Sequence, residues 1–192
     1  MNLLVLGPQG SGKGTQAKQI AGARGIPHVS TGDMFRAAIA DGTPLGLEVK
    51  AVLDSGALVS DDLTIALVEE RLGRPDAAGG FVLDGFPRTT AQAEALDALL
   101  ARHGRRLEAV LFFDLSDEVA TERMLGRAAA EGRADDTPEV IARRLEEYHA
   151  QTEPLVERYR AAGVLVALRA ERSIEDVAAQ IERGLATLGD AA

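Results

Sequence analysis

The feature that most constrains the fold is a glycine-rich loop placed between a short apolar run and a helical pattern. The apolar run Asn2–Leu6 predicts a buried strand, and the loop from Gly7 to Thr15 reads GPQGSGKGT. Small and apolar residues at helical spacing follow between Ala17 and Ala21. Glycines allow backbone angles that turn several N–H groups inward, and the helix adds the positive end of its dipole. This order of strand, loop and helix predicts a binding site for a polyphosphate.

The side chains of this loop favour a nucleoside triphosphate with its magnesium ion. Lys13 offers a point charge to the β and γ phosphates, and the hydroxyl of Thr15 is available to the Mg²⁺ shell. The pattern resembles the Walker A sequence of the P-loop NTPase fold, although Gly14 follows Lys13 and the hydroxyl comes one residue later. The predicted ATP contacts of the loop are Gly10, Ser11, Gly12, Lys13, Gly14 and Thr15. A ligand-free glycine turn is the alternative, and the loop alone leaves the reaction open.

Four further apolar runs indicate strands, and helical patterns separate them. These runs are Pro27–Ser30, Phe81–Asp84, Ala109–Leu115 and Val164–Leu168. The alternation predicts an α/β fold with a five-stranded parallel sheet flanked by helices. The last long helical pattern contains Pro154, which we expect to kink it.

Two segments interrupt this alternation and are expected to be mobile excursions from a single domain. The first is a helical stretch over residues 30–59, and the second is a loop rich in glycine, alanine and charge over residues 127–136. The core then consists of residues 1–29, 60–126 and 137–192. Ordinary surface connections are the alternative for both segments.

Composition argues against several classes of function. The net charge of −9 over 192 residues disfavours a nucleic-acid partner, because such binding depends on clustered Lys and Arg. The chain contains no cysteine, which excludes disulfides, thiolate zinc sites and cysteine nucleophiles. No apolar stretch is long enough to span a membrane and no basic leader precedes the first strand. We therefore expect a cytoplasmic protein without a membrane partner.

A second anion site is predicted where the third strand ends. Asp84 closes the apolar run that begins at Phe81, which places its carboxylate at the carboxyl edge of the sheet, where ligands bind. One carboxylate suits a hydrated Mg²⁺, and a turn or helix-capping aspartate is the alternative. The turn Gly85-Phe86-Pro87 then presents Arg88, whose planar charged fork matches a phosphate. Asp84 and Thr15 are therefore candidates for Mg²⁺, through water, and Arg88 is a candidate for a phosphate, with a solvated surface arginine as the alternative.

Three motifs occur in an order that resembles the nucleoside monophosphate kinases, and the adenylate kinases most closely. They are Gly12-Lys13-Gly14-Thr15, Ser30-Thr31-Gly32-Asp33-Met34-Phe35-Arg36 and Asp84-Gly85-Phe86-Pro87-Arg88. The resemblance covers nearly the whole chain. It implies reversible in-line transfer of the γ-phosphoryl group of ATP to AMP, giving two ADP, by a monomer. A UMP/CMP kinase on the same frame and a nucleotide-binding regulatory switch are the alternatives.

The resemblance also implies which residues bind AMP. Arg36 and Arg88 would hold its phosphate, and Thr31 and Gln92 would contact its adenine. Further contacts are implied for Ala57, Leu58, Val59, Gly85, Phe86 and Pro87. Relatives that accept UMP or CMP typically have alanine at the position of Thr31, so the threonine favours AMP.

Arginines in and around the second excursion are implied to surround the transferred group. Arg123 would stack on the ATP base, and Arg127 and Arg133 would close over the phosphates. Arg144 would reach the acceptor phosphate. Arg172 occupies a place where relatives often have a glycine, and its backbone is expected to contact the adenine of ATP. The residues implied in catalysis are Lys13, Arg88, Arg127, Arg133 and Arg144, of which Arg133 and Arg144 also count as AMP contacts.

Neither a zinc site nor histidine catalysis is expected. Many bacterial adenylate kinases carry a larger lid at the second excursion, often with a cysteine zinc site, whereas this chain has a short segment and no cysteine. His28, His103 and His149 have no catalytic or metal-binding partner close in sequence. Structural or surface roles are therefore expected for the three histidines.

Overall fold

The computed structural model describes residues 1–131 and 137–190. The strands are β1 (Asn2–Leu6), β2 (His28–Ser30), β3 (Phe81–Asp84), β4 (Ala109–Asp114) and β5 (Leu165–Arg169). The α-helices are α1 (Lys13–Arg24), α2 (Thr31–Ala40), α3 (Pro44–Asp54), α4 (Asp61–Leu72), α5 (Thr90–Arg102), α6 (Asp117–Glu131), α7 (Pro138–Glu147), α8 (Pro154–Ala161) and α9 (Ile174–Asp190). A 3₁₀ turn occupies Pro75–Ala77 and a π-helical turn occupies Tyr148–Thr152. Within these residues, no helix has the length and apolar character needed to cross a membrane.

The sheet has five strands and is parallel throughout, as predicted. Its strand order is β2-β3-β1-β4-β5. Every residue of the central strand β1 is buried, as expected for a sheet covered on both faces. The predicted strand ends agree with the structure within one residue. The α/β fold is therefore confirmed.

Residues of β1 point alternately into two cores, one on each face of the sheet. Leu4 and Leu6 pack with side chains from α4, α5 and α8, whereas Leu3 and Val5 pack with side chains from α1 and α9. This alternation follows from the two-residue period of a strand. The sheet is fixed between two helical layers, and its carboxyl edge remains the place where loops can meet.

The first predicted excursion, residues 30–59, is helical and has a small core of its own. Helices α2 and α3 pack on each other, and Phe35 and Val49 belong to a hydrophobic cluster apart from those of the sheet. Gly46 permits this close approach, because a Cβ atom there would lie 2.1 Å from the carbonyl oxygen of Ala38. The excursion is thus built as a compact helical unit on the core.

The second predicted excursion begins later than expected. Residues 127–131, which we expected to be loop, continue helix α6. Positions 128–130 are all alanine and a glutamate follows, and both residue types are strong helix formers, which explains the extra turn. Helix α6 packs on α7 through Met124 and Ile141. The rest of the predicted short lid, residues 132–136, lies outside the described residues.

The long helical pattern before β5 is interrupted next to Pro154, as predicted. Helix α7 ends at Glu147, the π-helical turn follows, and α8 begins at Pro154. In this turn the N–H of Glu153 donates to the carbonyl oxygen of Tyr148 at 2.9 Å, which is the wide hydrogen bond of a π-helix. Proline lacks an N–H, and the first position of a helix is where that N–H is not needed. The proline therefore starts a new helix.

Two glycines in helices are predicted to respond to alanine in opposite ways. Gly22 of α1 is exposed and has open space around its missing side chain, so Gly22→Ala should stabilise the protein by about 0.5–1 kcal/mol. Gly46→Ala should destabilise it by about 1–3 kcal/mol, because the new methyl group meets the backbone of α2. Urea denaturation measures both changes. A stabilising Gly46→Ala would contradict the close contact of α2 and α3.

His149 joins the π-helical turn to the start of α6. Its Nδ1 lies 2.9 Å from Oε2 of Glu153, and its Nε2 lies 2.9 Å from Oδ2 of Asp117. These two hydrogen bonds raise the pKa of His149 in the folded protein. The stabilisation they give is therefore complete below the pKa of an unfolded histidine and is lost as the pH rises through the folded pKa.

This pairing predicts a small pH dependence of stability. His149→Gln should lower the free energy of unfolding by up to about 1 kcal/mol at pH 5.5 and by less at pH 8.5, because exposed ion pairs contribute little. The side chain of His149 is 42% exposed, which sets this modest limit. Urea denaturation of both proteins at the two pH values measures the difference. Equal losses at both values would contradict the charged pairing.

Candidate active site

The glycine-rich loop has the backbone geometry predicted for an anion site. Gly10 and Gly12 have φ angles of +83° and +82°, in the left-handed region. A Cβ atom at position 10 would lie 2.6 Å from the carbonyl oxygen of Ala120, so the loop needs glycine there. Helix α1 begins at Lys13, directly after the loop, and its positive end faces the same space.

Lys13 is half-buried at the start of α1. Its Nζ donates to the carbonyl oxygen of Pro8 at 3.1 Å. Burial lowers the pKa of Lys13 to about 8; the carboxylate of Asp84 opposes this shift, and the charges of Arg88 and Arg127 add to it. A phosphate bound in the loop would raise the pKa of Lys13 again, since it adds negative charge beside the ammonium group.

Two side-chain oxygen atoms of the loop are buried without a hydrogen-bond partner in the described part of the chain. The atoms concerned are Oε1 of Gln9 and Oγ of Ser11. Buried polar atoms nearly always have a partner, so these two indicate that a ligand or its water shell completes the loop.

Asp84 is buried at the carboxyl end of β3, as predicted. The parallel register places it beside Val5 of β1 and Ser30 of β2. Burial alone would raise the pKa of Asp84, but two influences lower it below its usual value. One is the hydrogen bond with His28, whose Nε2 lies 3.3 Å from Oδ2, and the other is the charge of Lys13. The carboxylate is therefore ionised in the resting protein.

Arg88 is held by the turn that follows β3. Its Nε donates to the carbonyl oxygen of Gly85 at 2.8 Å, and the hydroxyl of Thr31 donates to the same oxygen at 2.9 Å. The hydroxyl of Thr152, in the π-helical turn, donates to the carbonyl oxygen of Arg88 at 2.9 Å. Gly85 thus holds the side chain of this arginine and Thr152 holds its backbone, while Thr31 ties the same turn to α2.

Positive charge is concentrated around Arg88. Burial lowers the pKa of its guanidinium; Asp84 opposes this shift, while the charges of Arg144 and Arg36 add to it. Cations therefore converge on one place in a chain whose net charge is −9. Such local concentration attracts anions despite the overall charge.

Two cavities meet at Arg88. The first extends from the glycine-rich loop to the π-helical turn, and its wall includes Lys13 and Arg144. The second lies beneath α2 and α3. Leu58, Gly85 and Arg88 belong to the walls of both cavities. A group held by Arg88 is therefore accessible from either side.

The second cavity brings together most of the residues predicted to bind a monophosphate. Those in its wall are Thr31, Ala57, Leu58, Val59, Gly85, Arg88 and Gln92. Arg36 is exposed on α2 and pairs with Asp33, and Pro87 and Arg144 line the first cavity. The ring of Phe86 is 1% exposed and packs in the hydrophobic core. Any contact of Phe86 with a nucleotide would therefore have to come from its backbone.

The residues predicted near the ATP base also come together. Nη1 of Arg123, on α6, donates to the carbonyl oxygen of Ala170 at 2.9 Å, so α6 lies beside the loop between β5 and α9. Arg172 is exposed in that loop. Arg127 follows Arg123 by one helical turn. Arg133 lies outside the described residues.

Comparison with known proteins gives one family. The model of the family described as adenylate kinase matches residues 5–164. The chain is 50% identical to the adenylate kinase of Caulobacter sp. strain K31 over 188 residues. This aligned stretch is 98% of this chain and 100% of the relative. The chain is 49% identical over 181 residues to the adenylate kinase of Stenotrophomonas maltophilia strain K279a, with 94% and 97% covered. The chain belongs to the adenylate kinase family.

Members of the adenylate kinase family are phosphotransferases that convert ATP and AMP to ADP, and the resemblance inferred from three motifs is thus confirmed. They use ATP with Mg²⁺, and the residues of this chain fit that ion. Asp84 is an ionised carboxylate, and Thr15 lies in the first turn of α1. Gly14 leaves room for the carboxylate, since a Cβ atom there would lie 3.2 Å from Oδ2 of Asp84. Magnesium keeps several waters and takes few protein ligands.

No closed metal cage occurs in the described residues. Among residues 1–131 and 137–190, the side chains of His, Cys, Asp and Glu form no group of three that could hold a metal ion.

Two side chains contact predicted site residues in ways that the sequence did not predict. His28, expected to be structural or on the surface, contacts the buried Asp84, and Asp61 accepts hydrogen bonds from Thr89 and Gln92. The contact of His28 joins residues 56 apart, and that of Asp61 with Gln92 joins residues 31 apart. His28 begins β2 whereas Asp84 ends β3, so the strand pattern alone does not indicate their contact.

Gly85→Ala is predicted to weaken AMP binding through the geometry of this turn. Gly85 has a φ of +80°, and a Cβ atom there would lie 2.8 Å from Oγ1 of Thr31 and 3.2 Å from Nη2 of Arg88. Displacing those groups should raise the dissociation constant for AMP at least about tenfold. Isothermal titration calorimetry measures this.

Gly104→Ala is the matched control. Gly104 has a φ of +63° but open space around the missing side chain. Both variants carry the strain of a left-handed residue, about 1–2 kcal/mol, and only Gly85→Ala should lose affinity for AMP. Equal affinities in the two variants would show that strain alone matters.

Proposed function

We propose that this protein transfers the γ-phosphoryl group of ATP, with Mg²⁺, to AMP and forms two ADP. The observation that carries the proposal is the position of Arg88 in the wall shared by two cavities. One cavity begins at a loop built for a polyphosphate, and the other lies beneath a helical excursion and is lined by most of the residues predicted to bind a monophosphate. A donor and an acceptor bound on either side of Arg88 would have their reacting phosphates adjacent.

The donor side binds the triphosphate through the loop and α1. Backbone N–H groups from Gly10 to Gly14 would surround the β phosphate, and Lys13 would reach the β and γ phosphates. Arg127 adds positive charge near Lys13. Arg123 would stack on the base, against the backbone of the loop that contains Arg172. The contact of Arg172 with adenine, through its backbone, is part of the proposal.

The acceptor side binds AMP in the second cavity. Arg88 and Arg36 would hold its phosphate, and Arg144 would reach it from the first cavity. Thr31 and Gln92 would contact adenine, with Ala57, Leu58, Val59, Gly85 and the backbone of Phe86 and Pro87 completing the surface. The threonine at position 31 favours AMP over UMP or CMP, as the resemblance to the family implies.

Catalysis would consist of positioning and charge stabilisation. Phosphoryl transfer spreads negative charge over the equatorial oxygens of the migrating group, and a well-placed arginine accelerates such reactions by about 10³–10⁵. Lys13, Arg88, Arg127 and Arg144 are assigned this role, together with Arg133. When bound, Mg²⁺ supplies further neutralisation of the donor phosphates, and Asp84 and Thr15 would hold it through water. No protein nucleophile is required.

The two excursions would exclude water, which competes with AMP as acceptor. The end of the first excursion already touches the helix after the second, because a Cβ atom on Gly56 would lie 3.1 Å from Val140 and 3.4 Å from Arg144. Movement of the first excursion would therefore displace Arg144, on the helix that follows the second one. The short lid, the monomeric state and the cytoplasmic location remain predictions from the sequence.

Removal of the arginine at position 88 tests the proposal. Arg88→Ala should lower kcat/KM for AMP at least about 10³-fold, since both the acceptor phosphate and the transition state lose a fixed cation. ATP affinity should change far less, because the glycine-rich loop is untouched. A coupled assay of ADP formation and calorimetry with ATP measure the two quantities. An unchanged kcat/KM for AMP, or a loss of ATP affinity as large as the loss in kcat/KM, would contradict the assignment.

Two neighbouring arginines on α7 provide a matched pair of variants that tests the role assigned to Arg144. Arg144 lines the first cavity, whereas Arg143 is exposed one residue earlier on α7. Arg144→Ala should lower kcat at least about tenfold and Arg143→Ala should leave it within about twofold.

The same assay with AMP, UMP and CMP as acceptors tests the substrate. Faster turnover of UMP or CMP than of AMP would refute the choice of AMP.

A further inference from the structure

Asp61, at the start of α4, is hydrogen-bonded to Gln92, which is predicted to contact the base of the acceptor nucleotide. Its Oδ1 accepts a hydrogen bond from Nε2 of Gln92 at 2.8 Å. The hydroxyl of Thr89 donates to both oxygens of Asp61, at 3.0 and 3.1 Å, and accepts from the backbone N–H of Gln92 at 3.2 Å. On its other side, Oε1 of Gln92 accepts from the backbone N–H of Arg88 at 2.8 Å.

This network determines which way the amide of Gln92 points. An ionised carboxylate can only accept hydrogen bonds, and a backbone N–H can only donate. Asp61 therefore requires the nitrogen of the amide on its side, and Arg88 requires the oxygen on the other. Rotating the amide by half a turn would place oxygen against carboxylate and N–H against N–H. Because Gln92 is only 2% exposed, water cannot readily satisfy the rotated groups.

The fixed amide has one N–H and one oxygen lone pair left, and Gln92 lines the second cavity. A 6-aminopurine presents an amine donor beside a ring-nitrogen acceptor, which matches an amide that offers oxygen and N–H. A 6-oxopurine presents an oxygen where that amine stands. A 6-oxopurine would therefore match only the rotated amide, which offers N–H where the fixed amide offers oxygen.

We propose that Asp61 is a positioning residue for specificity, which locks the amide of Gln92 in the orientation that accepts a 6-aminopurine monophosphate and rejects a 6-oxopurine one. The inference rests on the proposed function, because it assumes that the acceptor base lies in the second cavity. Asp61 itself need not touch the nucleotide. It acts through Gln92, supported by the hydroxyl of Thr89.

Asp61→Asn tests this role, and Asp62→Asn is its control. An asparagine at position 61 can rotate to donate to the oxygen of Gln92, so it removes one of the two contacts that oppose rotation. Asp62 is exposed in the same first turn of α4, so its replacement removes an equal charge from the same helix end. The substrates compared are AMP and IMP, whose bases differ at the 6-position and the adjacent ring nitrogen.

The expected result is a change of specificity that a purely structural role would not produce. In Asp61→Asn the ratio of kcat/KM for AMP to that for IMP should fall at least about tenfold, mostly through a higher KM for AMP and a lower KM for IMP. Asp62→Asn should keep the ratio of the unmodified protein. Asp61→Ser, which also lacks the carboxylate, is the second variant if the asparagine variant folds poorly, and it should move the ratio in the same direction.

A readout independent of activity follows the amide itself. The side-chain NH₂ of Gln92 should show slowed hydrogen exchange by ¹⁵N NMR in the unmodified protein and in Asp62→Asn, and faster exchange in Asp61→Asn. Variants at position 61 that lower stability but keep the ratio of kcat/KM for AMP to that for IMP would overturn the inference. Asp61 would then have only a structural role at the start of α4. If the unmodified protein formed no ADP from ATP and AMP, the proposed function would fail first, so the two failures are distinguishable.

Discussion

The site depends on the attraction between the buried carboxylate of Asp84 and two cations, Lys13 and Arg88. Lys13 and Arg88 are cations in surroundings that disfavour their charged forms, and Asp84 is the acidic group whose charge opposes this in both cases. Its place is set by the sheet, since the register aligns it with the ends of β1 and β2. Two sequence features then follow. Gly14 leaves space for the carboxylate, and His28 donates a hydrogen bond to it.

The turn after β3 transmits this constraint to the rest of the site. The carbonyl of Gly85 accepts from both Arg88 and Thr31, which connects the cation to the start of α2. Thr152 holds the backbone of Arg88 from the π-helical turn. A π-helical turn places its side chains one position out of step with an α-helix, and such turns are common at functional sites. The first excursion and the π-helical turn therefore both contact the turn that follows β3, the one at Gly85 and the other at Arg88.

The sequence was sufficient for features that depend on local pattern. Strand positions follow from apolar runs, the glycine-rich loop from its residue types, and the break near Pro154 from the missing N–H. The continuation of α6 through residues 127–131 was missed because glycine and charge were given more weight than three consecutive alanines. The partners of His28 and Asp61 were missed for a different reason. They depend on which strands and helices become neighbours, and a single sequence carries no direct record of that.

The two arginines assigned to the acceptor phosphate differ in what binding must change. Arg88 is held by Gly85 before any ligand arrives, so its position is preorganised. Arg36 is exposed and paired with Asp33, an arrangement worth at most about 1 kcal/mol. A phosphate offers stronger charge-assisted hydrogen bonds and can take Arg36 from that aspartate at little cost. Because Arg36 lies on α2, this exchange would couple occupancy of the second cavity to the position of the excursion, whereas Arg88 stays fixed to the sheet.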